Sequence, residues 1–76
     1  MPNRSEFLKQ QKTFGANVRR ERNERGITQE RLAELVEISL RNVQRVEAGE
    51  INVLMTTVTR IRRALNCPAD KLIPRE

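Results

Sequence analysis

The stretch TQERLAELVEISLRNVQRVEAG, residues 28–49, decides how this chain folds. Thr28 stands ahead of Gln29-Glu30-Arg31, where its hydroxyl can accept an orphan N–H of a first helical turn. Ile27 and Leu32 occupy the two positions of a hydrophobic staple. The spacing predicts a helix from Gln29 to about Val36 that buries Leu32, Ala33 and Val36. Two turns are too few to be stable alone in water, so tertiary packing must hold this helix. Glu37-Ile38-Ser39 follows as a three-residue link. Ser39 is placed to cap a second helix from Leu40 to about Ala48, which Gly49 ends. The buried stripe of this helix is narrow: Val43 and Val46, with Leu40 at the edge. Arg41, Gln44 and Arg45 are left together on its other faces.

Upstream, Phe7, Phe14 and Val18 are spaced seven and four apart, one face of a helix. That helix is expected to begin at Glu6 with Ser5 as its cap and to end at Gly26 in the left-handed conformation. Arg20/Glu24 and Glu21/Arg25 are i,i+4 pairs worth about 0.3–0.5 kcal/mol each. Gly15 weakens the middle by about 1 kcal/mol relative to Ala, so the firm part of the helix is expected nearer Thr13. Downstream, Glu50 to Leu54 reads as a loop. A fourth helix is expected from about Met55 to Leu65, burying Met55, Val58, Ile61 and Leu65, with Arg60, Arg62 and Arg63 outside. Asn66 ends it, and Pro68 opens a last short helix from Ala69 to Ile73 that Pro74 stops. The expected organisation is a mobile arm over 1–5, one domain over 6–73 and a tail over 74–76. It is an all-α fold of five helices around one core.

Seventy-six residues allow one domain at most. Leu, Ile, Val and Phe supply 20 of them, enough for a small aliphatic core. The chain has no His and one cysteine, Cys67, so neither a structural zinc site nor an internal disulfide can form. Cys67 is expected to be a small buried residue. No apolar run suits a signal peptide or a membrane span, which makes a cytoplasmic location the expectation. Without His, a Ser beside a base or a Gly-rich phosphate loop, an enzyme is not expected, and no cofactor is implied. The formal net charge is +5, and 12 of the 15 basic residues are Arg. Arg grips phosphate and guanine edges in bidentate fashion, so a small Arg-rich domain suits a nucleic acid, although a solvated basic surface gives the same composition.

Thr28 to Glu34, Ile38-Ser39, Val43 and Val46-Glu47-Ala48-Gly49, taken in order, resemble the helix-turn-helix of the Cro/C1-type (XRE) family. Val18 to Arg22 with Gly26 is similar to that family's first helix, and Ile61, Ala64 to Cys67 and Leu72 to its fourth and fifth. The resemblance covers roughly residues 14–73. It implies a compact, lambda-repressor-like domain that binds double-stranded DNA, usually as a symmetric dimer, and regulates transcription as a repressor or controller. The residues agree. A recognition helix presents its N-terminal side chains to the major groove, where Arg pairs with guanine O6/N7 and Gln with adenine N6/N7.

By this resemblance the base-reading positions are Leu40, Arg41, Gln44 and Arg45, with Arg41 and Arg45 as the direct readers. Leu40 either meets a thymine methyl or packs at the start of its helix. Gln29 falls where a side chain and a helix N-terminus meet a phosphate, which unpaired N–H groups and a positive dipole end favour. Asn52, Asn42 and Arg19 are the further phosphate candidates. Glu47 matches a glutamate that pairs with an arginine, here Arg22, in a structural salt bridge between the first and third helices. The chain departs from the family at three places. Glu37 stands where glycine is usual, at a cost of order 1 kcal/mol if φ is positive. Leu54 replaces a capping Ser or Thr, so the fourth helix is uncapped or starts at Thr56. Leu35 is apolar where a polar residue is expected, and is assigned to the N-terminal extension, against Phe7 or Leu8.

Nothing after the fifth helix but Pro74-Arg75-Glu76 leaves no room for an effector domain, so no small-molecule effector is expected. A homodimer through the fourth and fifth helices would set two recognition helices about 34 Å apart, one DNA turn. Leu54, Ile51 and Ile73 are the candidates for its interface. A different use of the same fold is a coactivator-like module that docks on protein rather than DNA.

Overall fold

The computed structural model describes residues 4–74 and contains five helices: α1 (Arg4–Glu24), α2 (Gln29–Val36), α3 (Leu40–Glu47), α4 (Met55–Leu65) and α5 (Ala69–Leu72). The caps explain the bounds of the two central ones. Thr28 Oγ1 accepts from the Arg31 N–H at 3.0 Å, and Ser39 Oγ accepts from the Asn42 N–H at 3.0 Å. After four of the helices the chain passes through the left-handed region, at Gly26 (φ 65°), Glu37 (φ 64°), Gly49 (φ 73°) and Asn66 (φ 49°). Such residues let the following N–H groups turn back onto the last carbonyls. Ile27 donates to Arg22, Ile38 to Ala33, Glu50 to Arg45 and Cys67 to Arg62 in this way. At Glu37 the chain takes the left-handed turn rather than reshaping it. Leu54 opens α4 with no side-chain cap bond, and the helix starts at Met55.

One apolar core joins the helices. Val18, Leu32, Val36, Val43, Ile61, Leu65 and Leu72 are almost wholly enclosed, with Phe14, Ala33, Val46 and Cys67 around them. α1 packs chiefly on α3, α2 on α3 and α4, and α5 on α1. Burial pushes the Cys67 thiol above its ordinary range.

Several expectations need correction. α1 starts at Arg4, so Ser5 lies inside the helix instead of capping it at Glu6. The helix also runs unbroken through Gly15. That glycine is buried against α3, and a Cβ there would lie 2.8 Å from the Glu47 carbonyl oxygen and closer still to that of Val46. Gly15 therefore admits a close approach of two backbones, and the contact holds the helix where propensity alone would weaken it. The mobile arm expected over 1–5 lies partly outside the described residues, and its Arg4 and Ser5 are helical. Arg75 and Glu76 of the tail also lie outside them. Met55, the first residue of α4, is 73% exposed rather than buried, because it lies at an open groove that it lines with Phe7 and Phe14 of α1. Ile73 falls just past α5. Leu35 stays exposed, while Phe7 turns toward Ile51, Val53 and Ile73 instead of toward α2.

Candidate nucleic-acid interface

The short turn 37–39 sets α3 across α2. Because Val43 and Val46 are buried three residues apart, the rest of α3 must face outward. Arg41, Asn42, Gln44 and Arg45 are all exposed, and Leu40 lies at the margin of the core. Arg41, Gln44 and Arg45 line one open concavity of about 570 Å³, with Ala48 and Glu50 completing its far end. Neither Arg41 nor Arg45 takes part in an ion pair among the described residues. Two guanidinium groups and an amide thus stand side by side with their hydrogen-bonding capacity unused.

Behind this face the polar groups are closed on one another. Arg22 Nε donates to Glu47 Oε2 at 2.7 Å and Arg22 Nη2 to Glu47 Oε1 at 3.1 Å, a bidentate pair whose side chains are 11% and 4% exposed. The remaining Arg22 nitrogen donates to the Ile27 carbonyl at 2.9 Å. Gln29 Nε2 donates to Glu47 Oε1 at 3.1 Å, which ties the opening turn of α2 into the same cluster. One carboxylate therefore fixes α1, α2 and the end of α3 relative to each other. The Gln29 amide nitrogen is directed inward as a result.

Elsewhere Asn52 accepts a hydrogen bond from Gln11 Nε2, so the loop after α3 is fastened to α1. Arg19 is exposed, one turn before Arg22, and Asn42 is exposed beyond its cap bond. Among the proposed interface residues, Leu54 is 73% exposed, Ile73 43% exposed and Ile51 half-buried. Ile51 and Ile73 line a groove of about 230 Å³ with Phe7, Phe14, Val53 and Met55.

One buried charge escaped the sequence reading. Glu21, read there as half of a surface pair, is 3% exposed. It accepts from Arg25 at 2.9 Å and from Arg20 at 3.1 Å, and the Arg25 hydrogen bond leads in holding its carboxyl below the usual range. Arg20 is thereby drawn away from Glu24. It also donates to Asn17 and to the Lys71 carbonyl, while Asn17 donates to the Leu72 carbonyl, so α1 caps the end of α5. The alternation of charges shows pairing along α1, but only the packing of the folded chain shows which carboxylate is covered.

Among the described residues no group of three or more His, Cys, Asp or Glu is placed to hold a metal ion, and no helix is long and apolar enough to cross a membrane.

Comparison with known proteins adds three findings. A family profile described as helix-turn-helix matches residues 18–72. The chain is similar to the restriction-modification controller protein C.AhdI from Aeromonas hydrophila, at 31% identity and TM-score 0.78, over 82% of this chain and 94% of that one. Its fold also matches the clp gene regulator ClgR from Corynebacterium glutamicum, at 24% identity and TM-score 0.79, over 82% of this chain and 66% of that one. No curated protein sequence matches the chain.

Proposed function

Because the chain belongs to the Cro/C1-type helix-turn-helix family of DNA-binding regulators, and is not an enzyme, we propose that α3 reads a specific sequence in the major groove of double-stranded DNA. The observation that carries this reading is the outward, unpaired cluster of Arg41, Gln44 and Arg45. A solvated helix face gains little from two adjacent arginines that pair with nothing, whereas a groove edge supplies acceptors for both. In this reading Arg41 and Arg45, one turn apart, meet guanine edges and Gln44 the base between. Leu40, exposed at the margin of the core, contacts a thymine methyl.

Phosphate contacts place the domain on the duplex. Arg19 and Asn42 supply free side chains. Asn52 has its carbonyl oxygen engaged by Gln11 and offers its amide N–H groups. Gln29 acts through the start of α2, where Thr28 caps the Arg31 N–H but leaves the N–H groups of Gln29 and Glu30 without a protein partner among the described residues. A helix N-terminus of this kind favours an anion.

A second copy is the partner of the apolar surface around Leu54, Met55, Ile73 and Ile51. Exposed apolar side chains this close together favour burial against another protein surface. A two-fold dimer through α4 and α5 would present two α3 helices about one DNA turn apart. The likeness to C.AhdI favours a small controller of transcription. Selection of bound duplexes from a random DNA pool tests the whole reading. It should return a palindromic consensus with half-sites one turn apart. No enrichment at low salt would overturn the DNA reading and favour a protein-docking use of the α3 face, and a single unrepeated half-site would remove the dimer.

A further inference from the structure

α1 reaches well beyond the residues that the helix-turn-helix needs. The family match begins at residue 18, yet the helix runs continuously from Arg4. Two contacts fix where the added turns go. A Cβ built on Gly49 would lie 2.6 Å from Lys12 Cα and 2.7 Å from Lys12 Cγ, so the backbone and stem of Lys12 rest directly on this glycine. One residue earlier, Gln11 donates to the side chain of Asn52. Gly49 is buried, lies between Ala48 and Glu50, and has φ 73°. Ala48 and Glu50 are the residues that close the far end of the concavity holding Arg41, Gln44 and Arg45. The stem of Lys12 therefore starts at the rim of the reading face. Its position is set by a contact that only glycine permits.

We propose that Lys12 is a phosphate-binding residue, which extends the DNA interface from the helix-turn-helix onto the N-terminal turns of α1. The proposal rests on the DNA reading of α3 given above. Two observations and one property of DNA support it. Lys12 is exposed and takes part in no ion pair among the described residues. A major groove about 12 Å wide carries a phosphate backbone along each side, so elements at both ends of a bound helix meet a strand. Finally, Glu50 places a carboxylate at this end of the reading face, where it repels a phosphate. A lysine on the adjoining glycine offsets that repulsion with a flexible ammonium that follows the backbone without regard to sequence. The Gln11–Asn52 bond holds the loop and the added turns together as one surface.

The experiment measures binding to a random-sequence duplex pool over a salt series, for the full chain and for Lys12→Gln, Lys12→Arg, Lys71→Gln and Arg41→Ala. Lys12→Gln keeps the side-chain carbons that lie on Gly49 and removes only the charge. It should weaken binding several-fold at low salt and reduce the slope of log affinity against log salt by about 0.9 per protomer. Lys12→Arg should restore both. Lys71→Gln makes the same change in net charge on α5 and should leave the slope as it was. If Lys12→Gln and Lys71→Gln behave alike, Lys12 adds only to the general field and the proposal is overturned. If the unmodified chain shows no salt-dependent binding and Arg41→Ala changes nothing, the DNA reading itself fails and takes this inference with it.

Discussion

Arg22 and Arg41 carry the same side chain on opposite sides of α3, and the molecule treats them in opposite ways. Arg22 is enclosed, its guanidinium divided between both oxygens of Glu47 and the Ile27 carbonyl. Arg41 is exposed and its guanidinium is pledged to nothing among the described residues. In the first region each Arg22 guanidinium nitrogen has a partner, and no buried side-chain nitrogen or oxygen among the described residues lacks one. In the second, donors stand idle at the surface. The two regions are linked, because Glu47 closes the inner cluster from the last turn of the helix that carries the outer one. A rigid inner junction lets the outer side chains be presented at a fixed angle without cost to the fold. The arginine count alone conceals this division, since one set of guanidinium groups holds the helices and the other is available to a partner.

Removing one member of the inner pair should have the largest effect. Arg22→Ala leaves the Glu47 carboxylate buried without its main partner, which costs about 3–5 kcal/mol of stability. A domain of this size is stable by roughly 5 kcal/mol, so the variant should keep only about 0–2 kcal/mol and stand at the edge of unfolding at 25 °C. Urea denaturation followed by circular dichroism measures it. The comparison sharpens if Arg22 and Glu47 are both replaced by apolar residues of similar volume, because the penalty is the stranded charge more than the lost attraction. That double variant should recover most of the loss. An Arg22→Ala chain that unfolds at the same urea concentration as the parent would mean the inner junction is ornamental.

Arg41→Ala should do the reverse. Stability should stay within about 0.5 kcal/mol, as for other exposed positions without a specific contact. Affinity for the selected duplex should fall by about 1–3 kcal/mol, with specificity relaxed at one base of each half-site. Melting curves and a binding titration on the same preparation separate the two. A variant that loses stability and affinity together would erase the distinction between the regions.

Much of this contrast can be read from residues 28–49 before any coordinates, and the reasons are local. Thr28 and Ser39 cap through bonds to residues three positions on, and Gly49 ends α3 by its own backbone freedom, so the start of α2 and both ends of α3 are set by signals inside the segment. The narrow Val43/Val46 stripe likewise dictates which side of α3 points out. Failures occur where the answer depends on a neighbour distant in sequence. Met55 obeys the same helical period as Ile61, but Ile61 enters the core while Met55 only lines the open groove beside α1. Glu21 looks like half of a surface pair until the rest of the chain folds around it. Gly15 looks like a weakness because helix propensity is blind to the carbonyls of Val46 and Glu47 that occupy the space of its missing side chain. Periodicity reports the existence of a face, whereas covering that face is a property of the whole chain.

The smallest effect concerns the turn between α2 and α3, where the inner and outer regions meet. Glu37 holds φ 64°, ψ 42°, a conformation that costs an L-residue about 1–2 kcal/mol. Glycine would remove that strain but would also have more freedom to lose on folding, about 0.5–1 kcal/mol. Glu37→Gly should therefore stabilise the domain by only about 0.5–1 kcal/mol, visible as a small rise in the urea midpoint with an unchanged slope. On the proposed DNA reading of α3 the carboxylate has a separate influence, since it sits on the turn that leads into that helix and would oppose an approaching phosphate. Glu37→Gln removes the charge and keeps the strain, so it should leave stability near that of the parent while modestly strengthening DNA binding at low salt. Glu37→Gly should show both changes. If Glu37→Gln stabilises the chain as much as Glu37→Gly does, the cost at this position is electrostatic and the backbone is not strained. If neither variant alters binding, the turn lies farther from the duplex than the geometry of α3 requires.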